Sequence, residues 1–234
     1  MPEPISMGLL ATSVVAGLIR YARRKFHQAK CVFDIAVAGI LLALLSPVIG
    51  VVALLIRLCN GPGVIFRQVR VGKGGRLFLM YKFRTMKPDA EAETGPIWAA
   101  ENDPRCTRLG RILRRTYLDE LPQLLNVIKG EMSLVGPRPE RPHFVEQLSC
   151  QLPEYSKRLE VKPGITGLAQ VEYGAEHNLS DTRTKLDLDL TYIRKMCWST
   201  DFRILLATLG KVGNKKQMAQ VGAQATGNNG KITG

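Results

Sequence analysis

From Ile35 through Ile56 the chain carries 22 consecutive residues without a charge, nearly all of them aliphatic. A helix of that length rises about 33 Å, close to the ~30 Å of hydrocarbon in a bilayer. The plain expectation is a transmembrane helix. Two features argue for something else. Ser46-Pro47 lies almost at the centre, where proline removes a backbone donor and bends a helix. Both flanks are basic as well: Arg23, Arg24, Lys25 and Lys30 precede the run, and Arg57, Arg67 and Arg70 follow it. Positive charge marks the cytoplasmic side of a membrane segment, so both ends ask for the same side. A proline-kinked spanning helix remains open. A re-entrant helix-break-helix over 28–60, broken at Ser46 and Pro47 and dipping into one leaflet, satisfies both observations.

The stretch before it, Met7 to Ile19, is apolar and ends in Arg20-Tyr21-Ala22-Arg23-Arg24-Lys25. It is too short to cross a bilayer, which takes roughly 20 residues, and its charges lie on the wrong side for a secretory signal. The expectation for residues 1–27 is an interfacial helix or a shortened anchor. Thirty-three basic against 20 acidic residues leave a net charge of +13, which implies a polyanionic partner. Aromatics make up only 6% and no zinc-finger or RNA-module spacing is visible, so nucleic acid is not expected; an anionic membrane face or phosphate-rich substrates are. The five scattered cysteines have no metal-ligand spacing and read as reduced, buried thiols. His27, His143 and His177 are scattered in the same way.

After Asn60-Gly61-Pro62-Gly63, the segments 64–70 and 77–81 read as two short strands around Gly72-Lys73-Gly74-Gly75, a β-hairpin rather than a phosphate loop. Lys87 to Asp103 is polar and proline-punctuated, and predicts a mobile loop, a possible lid. Thr107 to Arg115 predicts a basic amphipathic helix suited to a solvated or anionic surface. Residues 142–159 read as helical with breaks. The alternation Leu186-Asp187-Leu188-Asp189-Leu190 fits a strand or a helix. Asp201 is expected to cap a final helix, and 213–234 to form a disordered tail. The domain plan is 1–27, 28–60, a catalytic body over 61–212, and the tail.

Within that body, Arg114-Arg115-Thr116-Tyr117-Leu118-Asp119-Glu120-Leu121-Pro122 places two carboxylates after two guanidinium groups, at the start of a helix. Leu121, Leu124, Leu125 and Ile128 mark one face, Gly130 marks the stop, and Pro122 belongs in the first turn. One reading of Asp119 is a helix cap. The same position, near free N–H groups and the positive end of the dipole, also attracts phosphate. Arg138, held between Pro137 and Pro139, reads either as an anion clamp or as part of a structural turn.

Five motifs in this order resemble the bacterial sugar transferase family, the monotopic phosphoglycosyl transferases: Ser46-Pro47 in a membrane segment, Tyr81-Lys82-Phe83-Arg84-Thr85-Met86, Leu118-Asp119-Glu120-Leu121-Pro122-Gln123-Leu124, Gly136-Pro137-Arg138-Pro139, and Lys162-Pro163-Gly164-Ile165-Thr166-Gly167. The resemblance covers residues 28 to 212. It implies an α+β, mainly helical monotopic membrane protein with a re-entrant helix, a short β-hairpin and amphipathic interfacial helices. It also implies transfer of a sugar 1-phosphate from a UDP-sugar to polyprenyl (undecaprenyl) phosphate, priming polysaccharide synthesis at the cytoplasmic face of the inner membrane. Carried over by position, Asp119 is the nucleophile and a Mg²⁺ ligand, and Glu120 is its dyad partner. Lys82, Arg84, Arg114 and Arg138 then contact phosphate. Where the family often has Trp after the glycine, this chain has Leu168. The rival from another class is a basic membrane-surface or nucleic-acid-tethering scaffold, for which Asp119 would be dispensable.

Overall fold

The computed structural model describes residues 4–88, 90–92, 95, 103–173 and 179–213. One helix, α1 (Pro4–Asn60), is followed by an antiparallel hairpin, β1 (Ile65–Val71) and β2 (Leu77–Phe83). Then come α2 (Arg108–Arg115), a 3-10 stretch Leu118–Gln123 running into α3 (Leu124–Ile128), and β3 (Ser133–Val135). After these follow α4 (Pro142–Gln151), a 3-10 stretch Pro153–Glu160, β4 (Gly164–Thr166), α5 (Leu168–Glu172), α6 (Leu179–Arg194) and α7 (Trp198–Gly213). The α+β expectation holds, mainly helical with small sheets.

The expected break at Ser46-Pro47 is not an interruption: α1 runs helical through both residues and joins the two N-terminal segments. The local chemistry explains how. Pro47 cannot donate to the carbonyl four residues back, that of Ala43, and the Ser46 hydroxyl donates to that same carbonyl at 2.8 Å. The orphaned acceptor keeps a hydrogen-bond partner.

The covered side of α1 is a stripe: Lys30, Asp34, Ala38, Val52 and Ile56 are buried, spaced for one helical face. Val37, Ala38, Leu41 and Leu42 pack on a cluster with Leu124, Val127, Met132 and Leu134. Ile49, Val52, Ala53 and Ile56 pack on a second, with Phe83, Leu113, Leu118 and Leu121. Between them, Ala43, Leu44, Ser46, Pro47 and Val48 are exposed and only Leu45 is half-buried. Both arms of the apolar run therefore dock on one folded body while the middle stands clear. The outer face presents Val32, Ile40, Leu44, Val51, Leu54 and Leu58. Among the described residues this is the one helix long and apolar enough to cross a membrane, and such a face belongs in lipid.

A buried polar network seats the base of α1. Lys30 Nζ lies 2.6 Å from Asp201 and 3.4 Å from Asp34. Ser133 donates to Asp34 at 2.6 Å, and the Tyr192 hydroxyl donates to Asp201 at 2.8 Å. Asp201 thus lies inside α7 as an ion-pair partner, not as the expected cap. Trp198 and Phe202 of α7 extend the seam edge-on against Phe26 and Phe33, at centroid distances of 5.1 to 5.9 Å.

Other expectations need correction. Leu125 and Ile128 are exposed while Asn126 and Val127 are buried, because the 3-10 start turns at about three residues per turn and rotates the face. The 186–190 alternation is helical, within α6. The five cysteines are free, but Cys59, Cys150 and Cys197 are exposed and only Cys106 is fully buried. Most of the 87–103 loop, His177 and the tail beyond Gly213 lie outside the described residues.

Two close backbone approaches fix the body. A Cβ on Gly164 would fall 2.1 Å from the nitrogen of Gly136, so the two glycine motifs are the two sides of one crossing, where β3 and β4 pair in parallel. Gly110 of α2 lies on the backbone of Thr85, where a Cβ would sit 1.9 Å from the carbonyl oxygen. Gly110→Ala is expected to cost roughly 1–3 kcal/mol or more by forcing the helix off the strand. Thermal unfolding in detergent checks it, and an unchanged midpoint would contradict this packing.

Candidate active site

Four elements converge on Asp119-Glu120. The first is β2. Phe78 and Met80 point into the core cluster, and strand alternation puts Lys82 on their side. Its Nζ reaches Glu120 Oε1 at 2.7 Å. Asn126 closes the free edge of this strand, taking the Tyr81 N–H at 3.1 Å and donating to the Leu79 carbonyl at 2.7 Å. The second is the Gly136–Pro139 turn, whose Arg138 reaches the same Glu120 oxygen at 3.0 Å. The third is α2, capped by Thr107, whose hydroxyl accepts from Gly110 N at 2.9 Å. Its Arg114 donates to the Thr85 hydroxyl at 3.0 Å and acts on Asp119 through space. The fourth is the 3-10 stretch itself, whose Leu118 and Leu121 flank the carboxylates and pack with Val52 and Ile56 of α1. That contact sets the dyad against the apolar helix.

The carboxylates have opposite surroundings. Glu120 is gripped by two cations; burial works against its charge, but Lys82 and Arg138 prevail and hold it well below the usual range. Burial lowers Lys82, opposed by Glu120. Asp119 is 6% exposed, and no hydrogen bond or ion pair to it is present among the described residues. Burial, then the charge of Glu120, push its carboxyl up, against the pull of Lys82, Arg114 and Arg138. Neighbouring carboxylates with divergent pKa values mark different roles. Glu120 organises cations, while Asp119 is a buried carboxylate under the electrostatic pull of Lys82, Arg114 and Arg138.

The capping reading of Asp119 fails on geometry: the residue preceding the 3-10 turn is Tyr117, with no side-chain cap. Tyr117 is the only non-glycine residue with positive φ (56°) among those described. Such strain of about 1–3 kcal/mol persists where the surroundings over-determine it, commonly beside functional groups. Arg84 lies elsewhere. Its guanidinium donates to the carbonyls of Asn60, Gly61 and Pro62, closing the C-terminal end of α1. Sequence reasoning brings together Asp119, Glu120, Lys82, Arg114 and Arg138. It missed Arg158, 8% exposed, which pairs with Asp189 at 2.8 Å and donates to the Arg138 carbonyl at 2.9 Å. Its only sequence signal was a charge among helical apolar positions.

The model of the bacterial sugar transferase family matches residues 25–215. This chain belongs to the bacterial sugar transferase family. Membership makes it a transferase by class, with Lys82, Arg114, Asp119, Glu120 and Arg138 all inside the matched span. It is similar to a UDP-N-acetylgalactosamine-undecaprenyl-phosphate N-acetylgalactosaminephosphotransferase of Aeromonas hydrophila, 44% identical over 75% of this chain and 41% of the relative. A UDP-glucose:undecaprenyl-phosphate glucose-1-phosphate transferase of Caulobacter vibrioides is 42% identical over 77% and 68%. The Escherichia coli protein of that same name is 42% identical over 76% and 39%. The chain thus spans about two fifths of the length of the first and third of these, and about two thirds of the second. Leu168 packs on the main core cluster.

Proposed function

We propose that this chain transfers a sugar 1-phosphate from a UDP-sugar to a polyprenyl phosphate, such as undecaprenyl phosphate, releasing UMP and so priming a surface polysaccharide. The observation that carries the reading is the contrast within the dyad. One carboxylate is locked by Lys82 and Arg138; its neighbour is buried, raised and unbonded beside the same cations.

An Asp119 oxygen attacks the phosphorus that bears the sugar. The bond from that phosphorus to the bridging oxygen breaks, and UMP departs with the electron pair. An acyl phosphate is left on Asp119, reactive enough to pass the group on. The polyprenyl phosphate oxygen then attacks the same phosphorus, the Asp119 carboxylate is released, and a polyprenyl diphosphate sugar results. A carboxylate approaching a diphosphate is repelled unless cations neutralise the phosphoryl oxygens. Arg138, Lys82 and Arg114 are placed for this, with Glu120 fixing the first two.

Among the described residues no three His, Cys, Asp or Glu side chains gather into a protein-only metal cage. Mg²⁺ commonly takes one or two carboxylates together with substrate phosphates, so Asp119 with the diphosphate is a fitting donor set. When bound, the ion would supply further neutralisation of the phosphoryl oxygens.

We place the chain on the cytoplasmic face of the inner membrane, with 28–60 re-entrant and 61–212 as the catalytic body. Support comes from the docking of Lys30–Leu42 and Ile49–Ile56 on one body while 43–48 stand clear, and from basic residues at both ends. A continuous helix, with the Ser46 hydroxyl on the Ala43 carbonyl, replaces the broken one. Single cysteines engineered near residues 28 and 60, in a background lacking the native five, should both react with an impermeant maleimide in inverted vesicles and neither in intact spheroplasts. Labelling on opposite sides would mean a spanning helix. The reaction itself is tested by UMP release from detergent-purified protein with Mg²⁺, undecaprenyl phosphate and a panel of UDP-sugars. Release that does not depend on the lipid phosphate would reject the acceptor.

A further inference from the structure

The turn that carries Arg138 is held from behind by two arginines. Arg70 donates to the Pro139 carbonyl at 2.9 Å and pairs with Glu140, a residue adjoining the same turn, at 3.3 Å. Arg158 differs, because its anchor lies outside the turn. Its guanidinium pairs with Asp189 of α6 at 2.8 Å, lies 4.8 Å from the Tyr155 ring centroid, donates to the Tyr155 hydroxyl, and reaches the Arg138 carbonyl at 2.9 Å. Prolines on both sides of Arg138 restrict the backbone. The direction of the carbonyl between them is what an outside donor can set.

A buried ion pair is a poor source of stability, since apolar residues of similar volume commonly do as well or better. What apolar residues cannot provide is a planar fork that holds a carboxylate and directs an N–H at a chosen carbonyl. Arg158 reaches neither carboxylate of the dyad, yet it is one bond removed from the backbone of the residue that grips Glu120. Resting on the function proposed above, we propose that Arg158, neutralised by Asp189, is a positioning residue that fixes where the Arg138 guanidinium meets Glu120 and the incoming phosphoryl group.

A double-mutant cycle separates this role from simple support. The full chain in lipid nanodiscs, with Mg²⁺, undecaprenyl phosphate and either UDP-N-acetylgalactosamine or UDP-glucose, is assayed for UMP release. Replacing Arg158→Met and Asp189→Leu together leaves no bare buried carboxylate, so the thermal midpoint should be retained. That change is expected to lower kcat by about 10- to 100-fold, the scale of a displaced catalytic group. In an Arg138→Ala background the same pair should alter kcat by less than about twofold, because residues acting through one another are not additive. Equal losses in both backgrounds, or no loss with Arg138 present, would overturn the proposal. Should the paired variant not fold, Arg158→Lys keeps the charge beside Asp189 without the fork. It should lower kcat at an unchanged midpoint, and wild-type turnover would overturn the proposal. If Arg138→Ala itself turns over normally, the role of Arg138 in the proposed chemistry falls, and that of Arg158 with it. Loss at Arg138 without coupling to Arg158 removes the positioning role alone.

Discussion

Asp119→Asn is expected to lower UMP release by at least about 10⁴-fold, as loss of a nucleophile does, while the protein becomes more stable. Asparagine has no carboxylate with which to form an acyl phosphate, so no neighbouring residue compensates. The stability gain follows from the raised carboxyl of Asp119, caused first by burial and then by Glu120. The folded chain binds this proton more tightly than the unfolded chain, whose ordinary value is 3.8. Stability from this group therefore falls as pH rises through the two values, and above both the whole penalty is present. Leaving a buried polar group unsatisfied costs on the order of 1–3 kcal/mol, and each kcal/mol moves the midpoint by roughly 2–4 °C in a chain of this size. The gain should vanish in acid, below both values. In wild type the acid limb of turnover should lie above the ordinary aspartate value, since Asp119 must be ionised to attack. Paired UMP-release and thermal-unfolding measurements across pH check both parts. Turnover within tenfold of wild type would remove Asp119 as nucleophile.

Asp201→Ala is expected to produce the largest loss of stability. It leaves Lys30, 6% exposed, facing only Asp34 at 3.4 Å, and takes from the Tyr192 hydroxyl one of its two acceptors. The two hydrogen bonds lost, from Lys30 and Tyr192, are both to a charged group at about 1.5–3 kcal/mol each and together cost on the order of 3–5 kcal/mol. At roughly 2–4 °C per kcal/mol the midpoint should fall by roughly 6–20 °C. The seat of α1 on β3 and α7 is what fails, so protease sensitivity near Lys30 should rise in the same variant. A shift of less than about 2 °C would mean that the aromatic seam of Phe26, Phe33, Trp198 and Phe202 holds the helix alone.

Much of the architecture follows from short-range pattern. The hairpin is written in two alternating segments around a glycine turn, and α2 in a basic amphipathic repeat capped by Thr107. The apolar run is unmistakable because nothing else explains 22 residues without a charge. Where two periods competed or the turn type changed, pattern misled. By spacing Leu125 and Ile128 share one face with Leu121 and Leu124, and the 3-10 start turns them out. Arg84, which the resemblance puts on phosphate, closes the end of α1 in this structure, since free carbonyls at a helix terminus also accept from a guanidinium.

The sequence by itself determined that a membrane-seeking helix, a carboxylate pair and a set of arginines and lysines on stiff turns belong to one protein. Local propensity and charge are properties of neighbours along the chain. Only the tertiary structure decided that Glu120 is the clamped carboxylate and Asp119 the free one, that both arms of α1 lie on one body, and that Arg158 stands behind Arg138. Each of these depends on which distant group comes within about 3 Å of another, and that is fixed by packing.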